Sequence, residues 1–201
     1  MPGKSSVWPG KLSMAIGTHE IIGVVLCGGM STRMGRDKGL IVENGQTWAA
    51  RAAAVLIEHV DRIVFSVRRE QLGNYSQIFA GAEFVTDSIA AVGPLGGLMS
   101  VHAQFPDAHL FLLACDMTSV SDREILPLLS ASGDVVAYRY KQIFEPLCAF
   151  YTAAACEEIR RRVGANLDRA PGLQKLLHEL RVTALEPAHY ENLQSRNTVN
   201  Q

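Results

Sequence analysis

The sequence lacks a CxxC pair, and its few cysteines are scattered along the chain, at Cys27, Cys115, Cys148 and Cys156. Single cysteines beside apolar stretches are typical of buried free thiols in a reducing compartment and argue against a disulfide framework. The six histidines also lack the spacing of metal ligands. We therefore expect neither a disulfide-stabilised secreted domain nor a cysteine–histidine metal centre.

Long apolar runs are absent as well. No run approaches the roughly 20 residues that span a bilayer, and the first twenty residues contain no apolar core of a secretory signal. We expect a cytoplasmic protein with no membrane association. Residues 1–20 are predicted to be a flexible leader and residues 21–201 a single domain.

Neither sign of charge dominates the composition. The 19 lysines and arginines nearly balance the 20 acidic residues, which gives a net charge of −1. A near-neutral chain lacks the basic surface of a general nucleic-acid-binding protein, so nucleic acid is not an expected partner. Any recognition of phosphate must come from local geometry. Apolar residues make up 48 % of the chain, which is enough to bury a core.

Short apolar segments alternate with segments of helical periodicity. The predicted strands lie at residues 21–27, 63–67, 84–87, 110–115, 135–140, 147–151 and 182–185. The predicted helices begin near residues 47, 93 and 121 and cover 152–163 and 173–180, with a loop or tail over 192–201. This order predicts a three-layer, Rossmann-like α/β fold, with a mostly parallel sheet and helices on both faces.

The most informative segment follows the first strand and reads LCGGMSTRMGRDKGL at residues 26–40. Gly28 and Gly29 carry no side chain, so the main chain there can approach a base or a phosphate closely. Arg33 can bind phosphate oxygens through two N–H groups, and Lys38 offers a compact positive charge. The segment matches neither the GxxxxGK(S/T) phosphate loop nor the GxGxxG dinucleotide fingerprint. It therefore predicts a nucleotide site of another kind.

Polar side chains also follow other predicted strands. Ser66 lies at the end of the second strand, Asp87 at the end of the third, and Asp116 directly after residues 110–115. Ligands of open α/β sheets bind outside the carboxyl ends of the strands, so these side chains are expected beside the glycine loop. Mg²⁺ in phosphate sites takes one or two carboxylates, which makes Asp116 the candidate metal ligand. The alternative for both aspartates is a turn or a helix cap.

Four motifs together resemble one enzyme family. They are the 26–40 segment, GPLGGL at 93–98, FLLACDM at 111–117 and EPLCA at 145–149. The pattern resembles the molybdenum cofactor guanylyltransferases, which belong to a nucleotidyltransferase group that also contains sugar-1-phosphate nucleotidyltransferases. The resemblance implies an enzyme that uses GTP and Mg²⁺ to attach GMP to the terminal phosphate of molybdopterin, releasing pyrophosphate. It also implies molybdoenzymes or other cofactor-assembly proteins as partners.

The resemblance further implies roles for residues of this chain. The implied nucleotide-binding set is Leu26, Cys27, Gly28, Gly29, Lys38, Ser66, Asp87 and Asp116. Ser66 stands where relatives can carry asparagine, and Asp116 would bind Mg²⁺. Residues 192–195 match the family's terminal Asn-x-Asn-Thr motif loosely, which makes Asn192 the candidate contact to the acceptor.

In the implied reaction, an acceptor phosphate oxygen attacks the α-phosphorus in line and pyrophosphate leaves. A phosphate acceptor is already ionised near neutral pH, so catalysis needs positioning and charge stabilisation rather than a general base. The candidate catalytic residues are Lys38 and Asp116 at the α-phosphate and Arg33 at the leaving pyrophosphate. Three alternatives stay open: a molybdopterin cytidylyltransferase, a sugar-1-phosphate nucleotidyltransferase of the same fold, and a cofactor-binding adaptor without activity.

Overall fold

A computed structural model describes residues 19–28, 37–87, 93–164 and 170–196 of the chain. Its strands are β1 (Ile21–Leu26), β2 (Val42–Glu43), β3 (Gln46–Thr47), β4 (Arg62–Val67), β5 (Glu83–Thr86), β6 (His109–Ala114), β7 (Val135–Tyr140), β8 (Ile143–Tyr151) and β9 (Val182–Leu185). Its α-helices are α1 (Trp48–Leu56), α2 (Leu72–Ile78), α3 (Pro94–Gln104), α4 (Asp122–Ser130), α5 (Ala153–Val163) and α6 (Leu173–Glu179). Short 3₁₀ helices cover Lys38–Leu40 and Tyr190–Leu193.

Seven strands form one sheet in the order β5-β4-β1-β6-β8-β7-β9, and β2 and β3 form a separate hairpin. β1 runs parallel to both β4 and β6, and β4 runs parallel to β5. Only β8 is reversed within this sheet, because it pairs antiparallel with both β6 and β7, while β7 and β9 are parallel. The mostly parallel sheet predicted from the sequence is confirmed.

Alternate side chains of β1 enter two separate apolar clusters. Ile21 and Val25 belong to one cluster and Ile22 and Val24 to the other, and all four are 2 % exposed or less. Residues of α1, α2 and α4 complete the first cluster, and residues of α3, α5 and α6 complete the second. The sheet is therefore the middle of three layers. Burial on both faces explains why its strands read as continuous apolar runs in the sequence.

Helix α2 was not expected from the sequence. Gly73 and Asn74 interrupt its apolar pattern, and both residues are weak helix formers. Tyr75 nevertheless anchors the helix, because its side chain is fully buried in the first cluster. Tertiary packing here outweighs local propensity.

The segment after β9 is more ordered than the predicted loop or tail. Its 3₁₀ helix at Tyr190–Leu193 buries Leu193 to 1 % exposure. The ring of Tyr190 also stacks on Tyr140, with the ring centroids 4.1 Å apart. Within the described ranges, no helix is both long enough and apolar enough to cross a membrane.

Candidate active site

The carboxyl ends of β1 and β6 lie side by side, because Leu26 pairs with Ala114 in the parallel register. Cys27 and Gly28 therefore leave the sheet next to Cys115 and Asp116. These residues line a surface cavity together with Leu26, Lys38, Pro94, Ala114 and Leu147. Among the described residues of this wall, only Lys38 and Asp116 are charged, and the others are apolar. The cavity lies where an open α/β sheet binds its ligands.

Lys38 and Asp116 form an ion pair at this edge. The Lys38 Nζ donates to Asp116 Oδ2 at 3.0 Å. Their side chains are 24 % and 14 % exposed, so the pair is partly shielded but open to a ligand. Lys38 begins a 3₁₀ helix that Asp37 caps by accepting a hydrogen bond from the Gly39 N–H. Asp116 follows β6 directly. The structure thus brings together two residues that the sequence predicted at one site.

The backbone at Cys27 and Gly28 lines the cavity but differs in one respect from the expectation. The N–H groups of both residues donate to the Ser66 carbonyl, at 2.9 and 3.2 Å, and so extend the pairing of β1 with β4. The Gly28 amide is therefore occupied and is not directed at a phosphate. Gly29 and Arg33, which the sequence assigns to the same site, lie outside the described residues.

Asp87 lies against the first glycine of the loop. A Cβ atom built on Gly28 would stand 2.6 Å from Asp87 Oδ2, so only glycine allows this approach. The Ser66 hydroxyl donates to Asp87 Oδ1 at 2.8 Å, and Ser66 is 1 % exposed. Burial raises the pKa of Asp87, while the Ser66 hydroxyl and the Arg68 guanidinium oppose that rise. Ser66 thus orients Asp87 and does not itself line the cavity.

The C-terminal segment reaches Asp116. The Ser195 hydroxyl donates to Asp116 Oδ2 at 2.7 Å, and the Arg196 N–H donates to the Asp116 carbonyl at 3.0 Å. The Arg196 guanidinium also donates to Thr118 and Glu43, at 3.0 and 2.9 Å. The sequence did not indicate that Ser195 lies at Asp116, the predicted metal ligand. The available signal in the sequence was the position of Ser195 within residues 192–195, which loosely match the family's terminal motif.

Asn192, the candidate acceptor contact, donates its amide to Glu124 Oε1 at 2.9 Å. Burial alone would raise the pKa of Glu124, but the hydrogen bonds from Asn192 and Ser121 outweigh it, and the pKa is lowered. Glu124 is 5 % exposed, so this contact ties the C-terminal segment to α4. In this structure the Asn192 amide holds the fold rather than facing the cavity.

Glu145 is a second acidic side chain near Asp116 that the sequence analysis did not assign to the site. β6 and β8 are antiparallel and Leu113 pairs with Cys148, so Asp116 and Glu145 each lie three residues beyond that pair. The Leu147 N–H donates to Glu145 Oε1 at 3.0 Å. Burial raises the pKa of Glu145 to about 7, helped by the negative charge of Asp116. Its signal in the sequence was an acidic residue within an apolar strand.

The oxygen atoms available as metal ligands at this edge of the sheet suit a hard cation. Asp116 offers carboxylate oxygens beside the Ser195 hydroxyl, and Mg²⁺ commonly binds one or two carboxylates while substrate phosphates and water complete its shell. No group of three or more metal-ligating side chains occurs in the part of the chain that the structure describes. Cys27 does not provide a thiolate ligand for a softer metal, because burial raises the pKa of its thiol and keeps it protonated.

Known proteins share both the sequence pattern and the fold. A probable molybdenum cofactor guanylyltransferase of Methanothermobacter thermautotrophicus is 30 % identical over 80 % of this chain and 86 % of its own length. The crystal structure of molybdopterin-guanine dinucleotide biosynthesis protein A from Archaeoglobus fulgidus superposes with a TM-score of 0.65, at 22 % identity and 83 % coverage of both chains. A Mycobacterium tuberculosis protein solved in complex with manganese gives a TM-score of 0.57, at 21 % identity over 83 % of this chain and 88 % of its own.

The family profile of the MobA-like NTP transferase domain matches residues 23–184. That range covers β1 to β9 almost completely and includes the cavity, the ion pair and Asp87. The chain therefore belongs to the family of MobA-like NTP transferase domains.

Proposed function

We propose that this protein transfers GMP from GTP to the terminal phosphate of molybdopterin, with or without its molybdenum, and releases pyrophosphate. The observation that carries the proposal is the ion pair of Lys38 and Asp116, 3.0 Å apart in a cavity at the carboxyl edge of the sheet. One partner suits a phosphate oxygen and the other a hard cation, and a phosphoryl-transfer site needs both. The guanylyltransferase relative supports the choice of base and acceptor.

The chemistry follows from this pair of charges. An oxygen of the acceptor phosphate forms a bond to the α-phosphorus of GTP, while the bond from that phosphorus to the pyrophosphate oxygen breaks. Lys38 exchanges its contact with Asp116 for a phosphate oxygen and offsets the negative charge that gathers there. Asp116 would hold Mg²⁺, and the cation would supply further charge neutralisation there. As the sequence predicts, we propose that Arg33 binds the leaving pyrophosphate and that Asp87 contacts the nucleotide.

Hydrogen bonds and packing fix the directions of the two carboxylates at the site. Asp87 is fixed by the Ser66 hydroxyl and packs on Gly28. The carboxylate of Asp116 accepts from the Ser195 hydroxyl, and its main-chain carbonyl accepts from the Arg196 N–H. Both carboxylates are thus preoriented before any substrate arrives, which lowers the cost of ordering the reactive complex. We propose that the reaction takes place in the cytoplasm and that molybdoenzymes or cofactor-assembly proteins receive the product.

Calorimetry with four nucleotides tests the proposal. We expect Mg²⁺-dependent binding of GTP that is tighter than binding of ATP, CTP and UTP, and pyrophosphate release that requires molybdopterin. Tighter binding of CTP would assign the protein to a cytidylyltransferase instead. Pyrophosphate release with a sugar 1-phosphate but not with molybdopterin would favour the sugar nucleotidyltransferases. Nucleotide binding without any pyrophosphate release would favour the adaptor.

A further inference from the structure

A buried glutamine links Cys27, which follows β1, to Asp37, which precedes Lys38. Gln71 immediately precedes α2, and its side chain is 5 % exposed. Its amide nitrogen donates to the Cys27 carbonyl at 3.2 Å and to Asp37 Oδ2 at 2.7 Å. Its amide oxygen accepts from the Arg68 N–H at 2.8 Å. Both hydrogens of the amide nitrogen are used, one toward the end of β1 and one toward the residue before Lys38.

The carboxylate of Asp37 is fixed from a second side. Its Oδ1 accepts from the Tyr75 hydroxyl at 2.9 Å and from the Gly39 N–H at 3.1 Å. Burial raises the pKa of Tyr75, so its hydroxyl keeps the proton that it donates. With Gln71 on Oδ2, both oxygens of Asp37 are bound. The backbone direction from which Lys38 starts is therefore fixed.

The amide of Gln71 has no simple substitute. A methionine of similar length would leave the Cys27 carbonyl and Asp37 Oδ2 without this donor, and a buried acceptor that loses its donor is costly. A glutamate would direct a carboxylate at the same two acceptors. Glutamine satisfies both acceptors and also provides the acceptor for Arg68.

We propose that Gln71 is a positioning residue for nucleotide transfer. Its amide joins the Cys27 carbonyl to the Asp37 carboxylate and thereby holds Lys38 at Asp116, in the cavity lined by Cys27 and Gly28. Gln71 touches no reacting atom and acts through Asp37 and the end of β1. This inference rests on the proposed function, because it concerns the same nucleotide site.

The proposal predicts a specific pattern of GTP affinity among variants. Gln71→Met should raise the calorimetric Kd for GTP with Mg²⁺ by about 10- to 100-fold, since small losses of alignment at a reactive site have effects of this size. The number of sites per protein should stay that of the wild type. Gln77→Met is the matched control, because Gln77 is exposed on α2, the helix that Gln71 precedes, and this variant should bind GTP unchanged.

Exchanging the carboxylate of position 37 and the amide of position 71 provides a rescue experiment for GTP binding. In Asp37→Asn the amide oxygen stays with its donors Tyr75 and Gly39, so the amide nitrogen faces the amide nitrogen of Gln71. Gln71→Glu alone puts two carboxylates face to face and also leaves the Cys27 carbonyl without its donor. In the double variant D37N/Q71E the new amide at position 37 can donate to the new carboxylate at position 71, while Arg68 keeps its acceptor. The Cys27 carbonyl is in the same state in Q71E and in the double variant, so the double variant should bind GTP more tightly than Q71E, a coupling that independent effects on folding would not give.

Hydrogen exchange provides a readout that does not depend on GTP. The Gly39 N–H donates to Asp37, so Q71M should speed its exchange while leaving exchange in α1 unchanged. If wild type binds no nucleotide, the proposed function fails, and Gly39 exchange still decides the role of Gln71. Unchanged Gly39 exchange in Q71M would overturn the inference. A lower site number at wild-type Kd, or a double variant that binds GTP no more tightly than Q71E, would also overturn it.

Discussion

The ammonium of Lys38 and the carboxylate of Asp116 come from distant parts of the chain and lie 3.0 Å apart. Removing the ammonium in Lys38→Ala should lower kcat for pyrophosphate release by about 100-fold or more, as expected for a charge that stabilises the transition state. Lys175→Ala is the matched control, because Lys175 is exposed on α6, and it should keep wild-type kcat. Steady-state kinetics with GTP and molybdopterin measures both. A K38A enzyme with wild-type kcat would remove Lys38 from the reaction.

Gly28 and Gly73 differ in the space around their α-carbons. A Cβ on Gly28 would stand 2.6 Å from Asp87 Oδ2, whereas a Cβ on Gly73 would meet nothing within 4 Å. Gly28→Ala should therefore displace Asp87, lower the free energy of unfolding by about 1–3 kcal/mol and raise the KM for GTP. Gly73→Ala should be neutral or slightly stabilising, because alanine favours the helix. Equal effects of the two substitutions, by urea unfolding and kinetics, would refute this reading of Gly28.

Burial gives Glu145 a pH-dependent effect on stability. Its pKa rises from the ordinary 4.5 to about 7, so the folded protein holds this proton more tightly than the unfolded chain does. The contribution of Glu145 to the free energy of unfolding should therefore decrease as the pH rises through this interval. Glu145→Gln cannot ionise and should exceed wild type in stability at pH 8 by up to about 3 kcal/mol.

At pH 4 the Glu145→Gln variant and wild type should have similar stabilities, because both side chains are then neutral. Urea unfolding in the presence of a chelator measures the difference without a bound cation. Glu186→Gln, at an exposed position, is the control for the removal of one carboxylate. A stability difference that stays constant from pH 4 to pH 8 would show that Glu145 does not titrate in this way.

At the scale of secondary-structure elements, the segment from the 3₁₀ helix at Tyr190–Leu193 to Arg196 connects α4 with the end of β6. Its polar contacts at the site are Ser195 with Asp116 and Arg196 with Thr118 and Glu43. Because Ser195 orients the Asp116 carboxylate, Ser195→Ala should lower kcat/KM by about tenfold with little change in stability. Ser130→Ala, which removes a hydroxyl bonded to the Leu126 carbonyl on α4, is the control. Equal kcat/KM values in the two variants would show that this segment does not contribute to the site.

Elements with a strong local signal were predicted well. The sequence predicted a helix beginning near residue 47, and the Thr47 hydroxyl caps α1 there by accepting from the Ala50 N–H. Helix α2 and the 3₁₀ helix near the C-terminus have no such signal. Tyr75 and Leu193 stabilise them through contacts with the core that residues far away in sequence provide. A single sequence cannot display those contacts.

At the scale of the whole molecule, the strand order brings the polar groups at the predicted strand ends, Ser66, Asp87 and Asp116, to one edge of the sheet. The sequence predicted polar groups at the ends of the strands, and the parallel register of β1, β4, β5 and β6 places those ends at one edge. The sequence did not indicate how the groups pair. Ser66 with Asp87, Gln71 with Asp37 and Ser195 with Asp116 depend on side-chain directions that appear only in the folded chain.

GTP labelled at its α-phosphate provides the sharpest test of nucleotidyl transfer by this protein. The labelled GTP is incubated with the protein, Mg²⁺ and molybdopterin, and the pterin product is then isolated. We expect the label to enter the pterin product in step with pyrophosphate release, and K38A to lose both together. Label that remains entirely in nucleotide while wild-type protein is folded and binds GTP would contradict the claim.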